Sequence, residues 1–77
     1  MGVESPPNDP CIDFGRRLRR LRTERQLSQE QLAHLAKLDR TYVSSCEAGR
    51  RNVSIRTIVR FATALGVDPA LLVSDRY

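Results

Sequence analysis

Residues 28–52, SQEQLAHLAKLDRTYVSSCEAGRRN, constrain the chain more than any other stretch, because two helix starts and a helix stop are packed into them. Ser28 is a favourable N-cap and Gln31, three residues on, completes a capping box, so a helix is expected from Gln29. Its apolar side is Leu32, Ala33, Leu35 and Ala36, with Leu38 closing the turn that follows. A second start falls at Asp39, and Val43, Cys46 and the methyl of Ala48 give a thin inward stripe to a helix over 40–48. The other positions of that helix, Arg40, Thr41, Tyr42, Ser44 and Ser45, are nearly all hydrogen-bonding side chains, more than a short surface helix needs for solvation. Gly49, able to take a positive φ at little cost, ends it, and the chain leaves through Arg50, Arg51 and Asn52. The pattern predicts two short helices across a tight turn, the second turning a polar face outward.

Charge says what that face could meet. Residues 1–15 carry three acids and no base, residues 16–25 carry six arginines against Glu24, and residues 40–60 carry five against Glu47. The net charge of +4 is thus held in two blocks, one of which contains the polar helix, the electrostatic footprint of a polyanion binder. A solvated helix face is the plainer alternative.

At 77 residues the chain is one domain, and a domain this small buries only about 60% of its unfolded surface, so a thin core and help from a partner subunit are expected. No apolar run approaches the roughly 18 residues of a membrane span, and the N-terminus lacks the basic-then-apolar order of a signal peptide, which predicts a cytoplasmic protein with no membrane contact. Cys11 and Cys46 are too few and too far apart for a paired metal site, and Cys46 reads as a small core hydrophobe. His34, the single histidine, has no matched base or nucleophile by sequence, there is no phosphate loop, and the carboxylates are scattered. An enzyme is therefore the weakest reading, and no metal, cofactor or small-molecule ligand is expected.

Ahead of the central segment, MGVESPPNDP reads as a loosely attached arm, and the domain boundary is placed between residues 11 and 12. A first helix is expected from Ile12 or Asp13 to about Arg25, with Phe14, Leu18 and Leu21 at i, i+4 and i+7 and Arg22 at the edge of the stripe, able to turn inward. Beyond it, Ser54 caps a fourth helix, Ile55–Leu65, stopped by Gly66; its expected core face is Ile55, Ile58, Val59, Ala62 and Leu65, with Phe61 on a flank. Asp68 and Pro69 announce a short fifth helix over Ala70, Leu71, Leu72 and Val73. So much apolar surface at the end of a small domain predicts a homodimer interface over Leu65, Val67, Leu71 and Leu72, the alternative being that it packs wholly into the chain's own core.

Five short helices with the tight turn between the second and third resemble the Cro and phage-repressor (XRE) type of helix-turn-helix domain over residues 12–75. Within it, LDRTYVSSCEAGRRNVS is similar to the controller proteins of restriction-modification operons. The resemblance implies an all-α, five-helix, lambda-repressor-like fold and a dimeric transcriptional regulator that binds double-stranded DNA at a pseudo-palindromic operator. Position by position, it implies that Gln29 bonds a phosphate, that Arg40 and Thr41 read bases, that Tyr42 and Ser44 hold the adjacent backbone or a base edge, that Ser45, one helical turn beyond Thr41, faces the groove, and that Arg51 and Asn52 grip phosphates. It also implies that Glu47 pairs with Arg22, and it makes RNA polymerase a candidate partner. Lys37 departs from the pattern: the family often has Gly or Asn at this turn, where φ tends to be positive, and lysine there costs on the order of 1 kcal/mol. Cys46, where relatives usually carry Ile, Leu or Val, is a milder departure. A phage-type repressor, an autoregulating antitoxin, or a protein-bridging module without sequence readout stand as the alternatives.

Overall fold

The structure is a computed structural model that describes residues 9–74. It contains α1 (Pro10–Glu24), α2 (Gln29–Ala36), α3 (Arg40–Glu47), α4 (Ile55–Leu65) and α5 (Ala70–Val73), with no strand among the described residues.

The start signals are local chemistry. The Ser28 hydroxyl accepts from the Gln31 N–H at 3.0 Å while the Gln31 side chain accepts from the Ser28 N–H at 2.8 Å, closing the capping box at the head of α2. Asp39 accepts from the Thr41 N–H at 2.9 Å, and Ser54 accepts from the Thr57 N–H at 3.1 Å, so α3 and α4 also begin at the expected residues. The start of α1 is a correction. It lies at Pro10 and not at Ile12 or Asp13, because the Asp9 carboxylate accepts from the Cys11 N–H at 2.7 Å and Pro10 occupies the first turn, where its missing N–H costs nothing. Pro10 and Cys11 therefore belong to the helix rather than to an arm, and residues 1–8 of that arm lie outside the described residues.

Four segments end in one way. A residue in the left-handed region, Gln26 (φ 58°), Lys37 (φ 58°), Gly49 (φ 78°) or Gly66 (φ 69°), donates to the carbonyl three residues back, and its successor donates to the carbonyl five back. These are Schellman closures, which satisfy carbonyls that a helix end would otherwise orphan. Lys37 thus adopts the left-handed conformation for which the family often uses Gly or Asn.

One core joins the helices: Phe14, Leu18 and Leu21 of α1, Leu32, Ala33 and Ala36 of α2, Val43 and Cys46 of α3, Phe61, Ala62 and Leu65 of α4, and Leu72 of α5. The Phe14 and Phe61 rings meet at 6.1 Å in a tilted pair at its centre. Several expected core positions face solvent instead. On α4 the buried row runs through Ile58, Phe61, Ala62 and Leu65, so Phe61 is fully buried while Ile55 is 79% exposed and Val59 is 46% exposed. Burying an aromatic ring removes more apolar surface than either aliphatic, and this turns the helix. Leu35 lies off the α2 row and is 52% exposed, and Ala48 is exposed beyond the α3 stripe.

The proposed interface residues divide. Leu65 and Leu72 are buried in the chain's own core, α5 being folded against α1, so neither is available to a second copy. Val67 and Leu71 are half-buried against the same core.

The turn geometry makes a testable statement. Lys37→Gly relieves the left-handed lysine and is expected to stabilise the domain by about 0.5 to 1 kcal/mol, a rise of roughly 3 to 6 °C in Tm by circular dichroism. Gly49→Ala is expected to lower Tm, because the added Cβ keeps the positive φ and meets Ile12 Cγ1 at 2.8 Å and Ile12 Cα at 3.0 Å.

Candidate nucleic-acid interface

Helical periodicity puts Thr41, Ser44, Ser45 and Ala48 on the side of α3 opposite Val43 and Cys46, with Arg40 and Tyr42 at the two edges. Arg40 and Thr41 are exposed in the first turn, and Tyr42, Ser44 and Ser45 are half-buried. Arg50, Arg51 and Asn52 are exposed on the loop that follows. The outward side of α3 and this loop are therefore continuous, cationic and rich in hydrogen-bonding groups.

Three helices are tied together beneath that surface. Arg22 of α1 donates from Nε to Glu47 Oε2 at 2.6 Å and from Nη2 to Glu47 Oε1 at 3.0 Å, a bidentate pair whose side chains are only 10% and 3% exposed. Its Nη1 donates to the Leu27 carbonyl at 2.7 Å. Hydrogen bonding to Glu47 pushes the already high pKa of Arg22 further up, so the guanidinium stays charged. Gln29, at the head of α2, donates from Nε2 to Glu47 Oε1 at 3.1 Å. One of its two amide protons is thereby committed inside the protein, leaving the other and the amide oxygen for an external group.

Two positions that sequence reasoning passed over also set this frame. A Cβ on Gly15 would lie inside contact distance of the Cys46 carbonyl oxygen and 2.7 Å from that of Glu47, so α1 touches the backbone of α3 directly. The signal was an isolated glycine within a helical pattern. Arg25 donates from Nε to the Leu65 carbonyl at 2.6 Å and from Nη1 to the Leu21 carbonyl at 3.2 Å, joining the ends of α1 and α4. A contact spanning 40 residues leaves no sequence signal. Among the described residues no cluster of His, Cys, Asp or Glu could hold a metal ion, and no helix is long and apolar enough to cross a membrane.

This architecture, five helices with an outward polar helix locked to the one before it, defines a helix-turn-helix domain. The chain belongs to the helix-turn-helix domain family, whose model matches residues 13–73. It is 46% identical over 69 residues to Control protein C.MunI from Mycoplasma sp., an alignment covering 88% of this chain and 93% of that protein. Among solved structures it is similar to the restriction-modification controller protein C.AhdI from Aeromonas hydrophila, at 53% identity and a TM-score of 0.79 over 80% of this chain and 94% of that one. It is also similar to the controller protein C.Esp1396I, solved as a tetramer in complex with its natural 35 base-pair operator, at 28% identity and a TM-score of 0.78 over 84% and 86% of the chains.

The buried pair predicts a large asymmetry between single and double substitution. Glu47→Ala strands the Arg22 guanidinium without its charge partner and is expected to cost about 3 to 5 kcal/mol, whereas adding Arg22→Met recovers most of that loss, both read by urea unfolding. A pH effect follows from α3. Burial pushes the Cys46 thiol up from its ordinary 9.0 and the Tyr42 phenol up from 10.0, so the unfolded chain ionises before the folded one. A folded pKa above the unfolded value means stability is fully present below about pH 9 and is lost as pH rises through the folded values. The urea midpoint is expected to fall on that alkaline limb, and to fall less in Cys46→Val.

Proposed function

We propose that this chain is a sequence-specific transcriptional regulator of the controller type, which binds a pseudo-palindromic DNA operator as a homodimer. The observation that carries the reading is the outward face of α3, where Arg40 and Thr41 stand exposed on a helix held by the Arg22–Glu47 pair, in a chain similar along most of its length to a protein solved with its operator. Arg40 bonds guanine O6 and N7 in the major groove, and Thr41 offers a hydroxyl or touches a thymine methyl. Ser44 and Tyr42 hold the adjacent backbone, Gln29 uses its remaining amide proton on a phosphate, and Arg51 and Asn52 take phosphates beyond the helix.

A single α3 reads only a few base pairs, so two copies dock on half-sites about one DNA turn, roughly 34 Å, apart. With Leu65 and Leu72 withdrawn into the core, the apolar surface left for the partner is Val67 and Leu71 with the exposed Ile55 and Val73. Regulation is then completed at RNA polymerase in the cytoplasm, which bound protein either recruits or obstructs.

Selection of bound sites from random duplex DNA at near-physiological salt tests the reading. A pseudo-palindrome with half-sites one turn apart is the expected result; enrichment of nothing by the folded protein would favour a bridging module. Arg40→Ala is expected to cost about 1 to 3 kcal/mol and to relax discrimination at one base pair, measured by competition among operator variants. For assembly, Ile55→Glu with Val73→Lys, both at exposed positions, is expected to give folded monomers by analytical ultracentrifugation.

A further inference from the structure

The loop after α3 folds back over the helix it leaves. Gly49 turns the backbone through the left-handed region, and the Arg50 N–H closes on the Ser45 carbonyl at 3.0 Å. Arg51 is thereby laid against the preceding turns of α3. Its Nε donates to Ser45 Oγ at 3.0 Å, and its guanidinium carbon stands 5.4 Å from the centre of the Tyr42 ring. That separation lies within the range of about 6 Å at which a cation is attracted to a ring face.

The hydroxyl that holds Arg51 is itself committed. Ser45 Oγ donates to the Tyr42 carbonyl at 2.9 Å. A serine hydroxyl has one proton, so Ser45 has none left to give a phosphate, which offers only acceptors. Tyr42 is held in turn, half-buried and packed against the hydrophobic core. The guanidinium therefore has its Nε and one face engaged, while among the described residues neither terminal amino group is bonded. An arginine held in this way has already lost much of its rotamer freedom, which reduces the ordering cost when an anion arrives.

Resting on the DNA-binding reading above, we infer that Ser45 and the ring of Tyr42 are positioning residues for Arg51, holding its guanidinium as a preformed phosphate contact beyond the end of α3. Ser45 acts through Arg51 and does not touch the DNA. This reassigns Ser45 from the contacts implied by family resemblance.

The test is a double-mutant cycle in DNA binding, measured by fluorescence anisotropy on the selected operator and on an unrelated duplex. Arg51→Ala is expected to weaken both duplexes about equally, by roughly 10-fold, and to lower the slope of log K against log salt by about 1. Ser45→Ala, which keeps the Arg51 charge, is expected to weaken binding roughly 3- to 5-fold with the slope unchanged, and to do nothing further in the Arg51→Ala background. Tyr42→Phe, which retains the ring, keeps the Ser45–Arg51 coupling, and Tyr42→Leu loses it. An undiminished Ser45→Ala effect in the Arg51→Ala background overturns the inference, whether the serine proves to touch DNA or to support the fold. A loss from Arg51→Ala confined to one base pair makes Arg51 a base reader and overturns the phosphate assignment. Failure of the wild-type protein to bind either duplex removes the DNA-binding reading itself and this inference with it, a result distinct from binding without coupling.

Discussion

The pose of α3 depends on the buried pair between Arg22 and Glu47. Only Val43 and Cys46 of α3 are fully buried, and apolar contact is non-directional, so two side chains alone would let the helix roll against its neighbours. The bidentate pair removes that freedom: its two bonds define a plane, the Leu27 carbonyl takes a third guanidinium N–H, and Gln29 brings the head of α2 onto the same carboxylate. A buried ion pair is a weak source of net stability, since desolvating both charges offsets much of their attraction. What it contributes here is angle. Helices one, two and three are set relative to one another by charge geometry, and the apolar core fills the space that geometry leaves.

Helix starts were legible in the sequence because their chemistry is local: Ser28 with Gln31, Asp39 and Ser54 each act within three residues of themselves. Asp9 and Pro10 carry the same pairing that marks the fifth helix at Asp68 and Pro69, and were hidden only by the apolar stripe that begins later at Phe14. The left-handed residues divide the same way. Gly49 and Gly66 declare themselves, whereas Gln26 and Lys37 take that conformation with no compositional sign. Periodicity gave the fourth helix an apolar arc but could not say which edge turns inward, since that is decided by the Phe14 ring waiting opposite Phe61. The fate of Leu72 was open for a similar reason, since it depends on the surface α1 presents.

At the site, the outward position of Arg40 and Thr41 was readable from spacing, but the hydrogen-bond commitments of the residues behind them were not. Gln29 and Ser45 look alike on paper as free polar groups; in the fold one shares its amide with a buried carboxylate and the other has no proton left. The pairing of Glu47 with Arg22 came from resemblance alone, as a separation of 25 residues carries no periodic signal.

The repeated helix closure explains how elements of eight residues persist, α2 and α3 being far shorter than an isolated helix needs. Their ends are finished by the backbone itself and by capping side chains, so they do not unravel for want of length. Gly15 completes this economy from beneath. Because α1 meets α3 main chain to main chain at that point, the fit of the two helices is independent of what α3 displays on its far side. Thr41, Ser44 and Ala48 can be exchanged without disturbing the platform that carries them. A fold of this kind works as a fixed handle with a replaceable face: the letters on one surface can change while the body of the domain stays as it is.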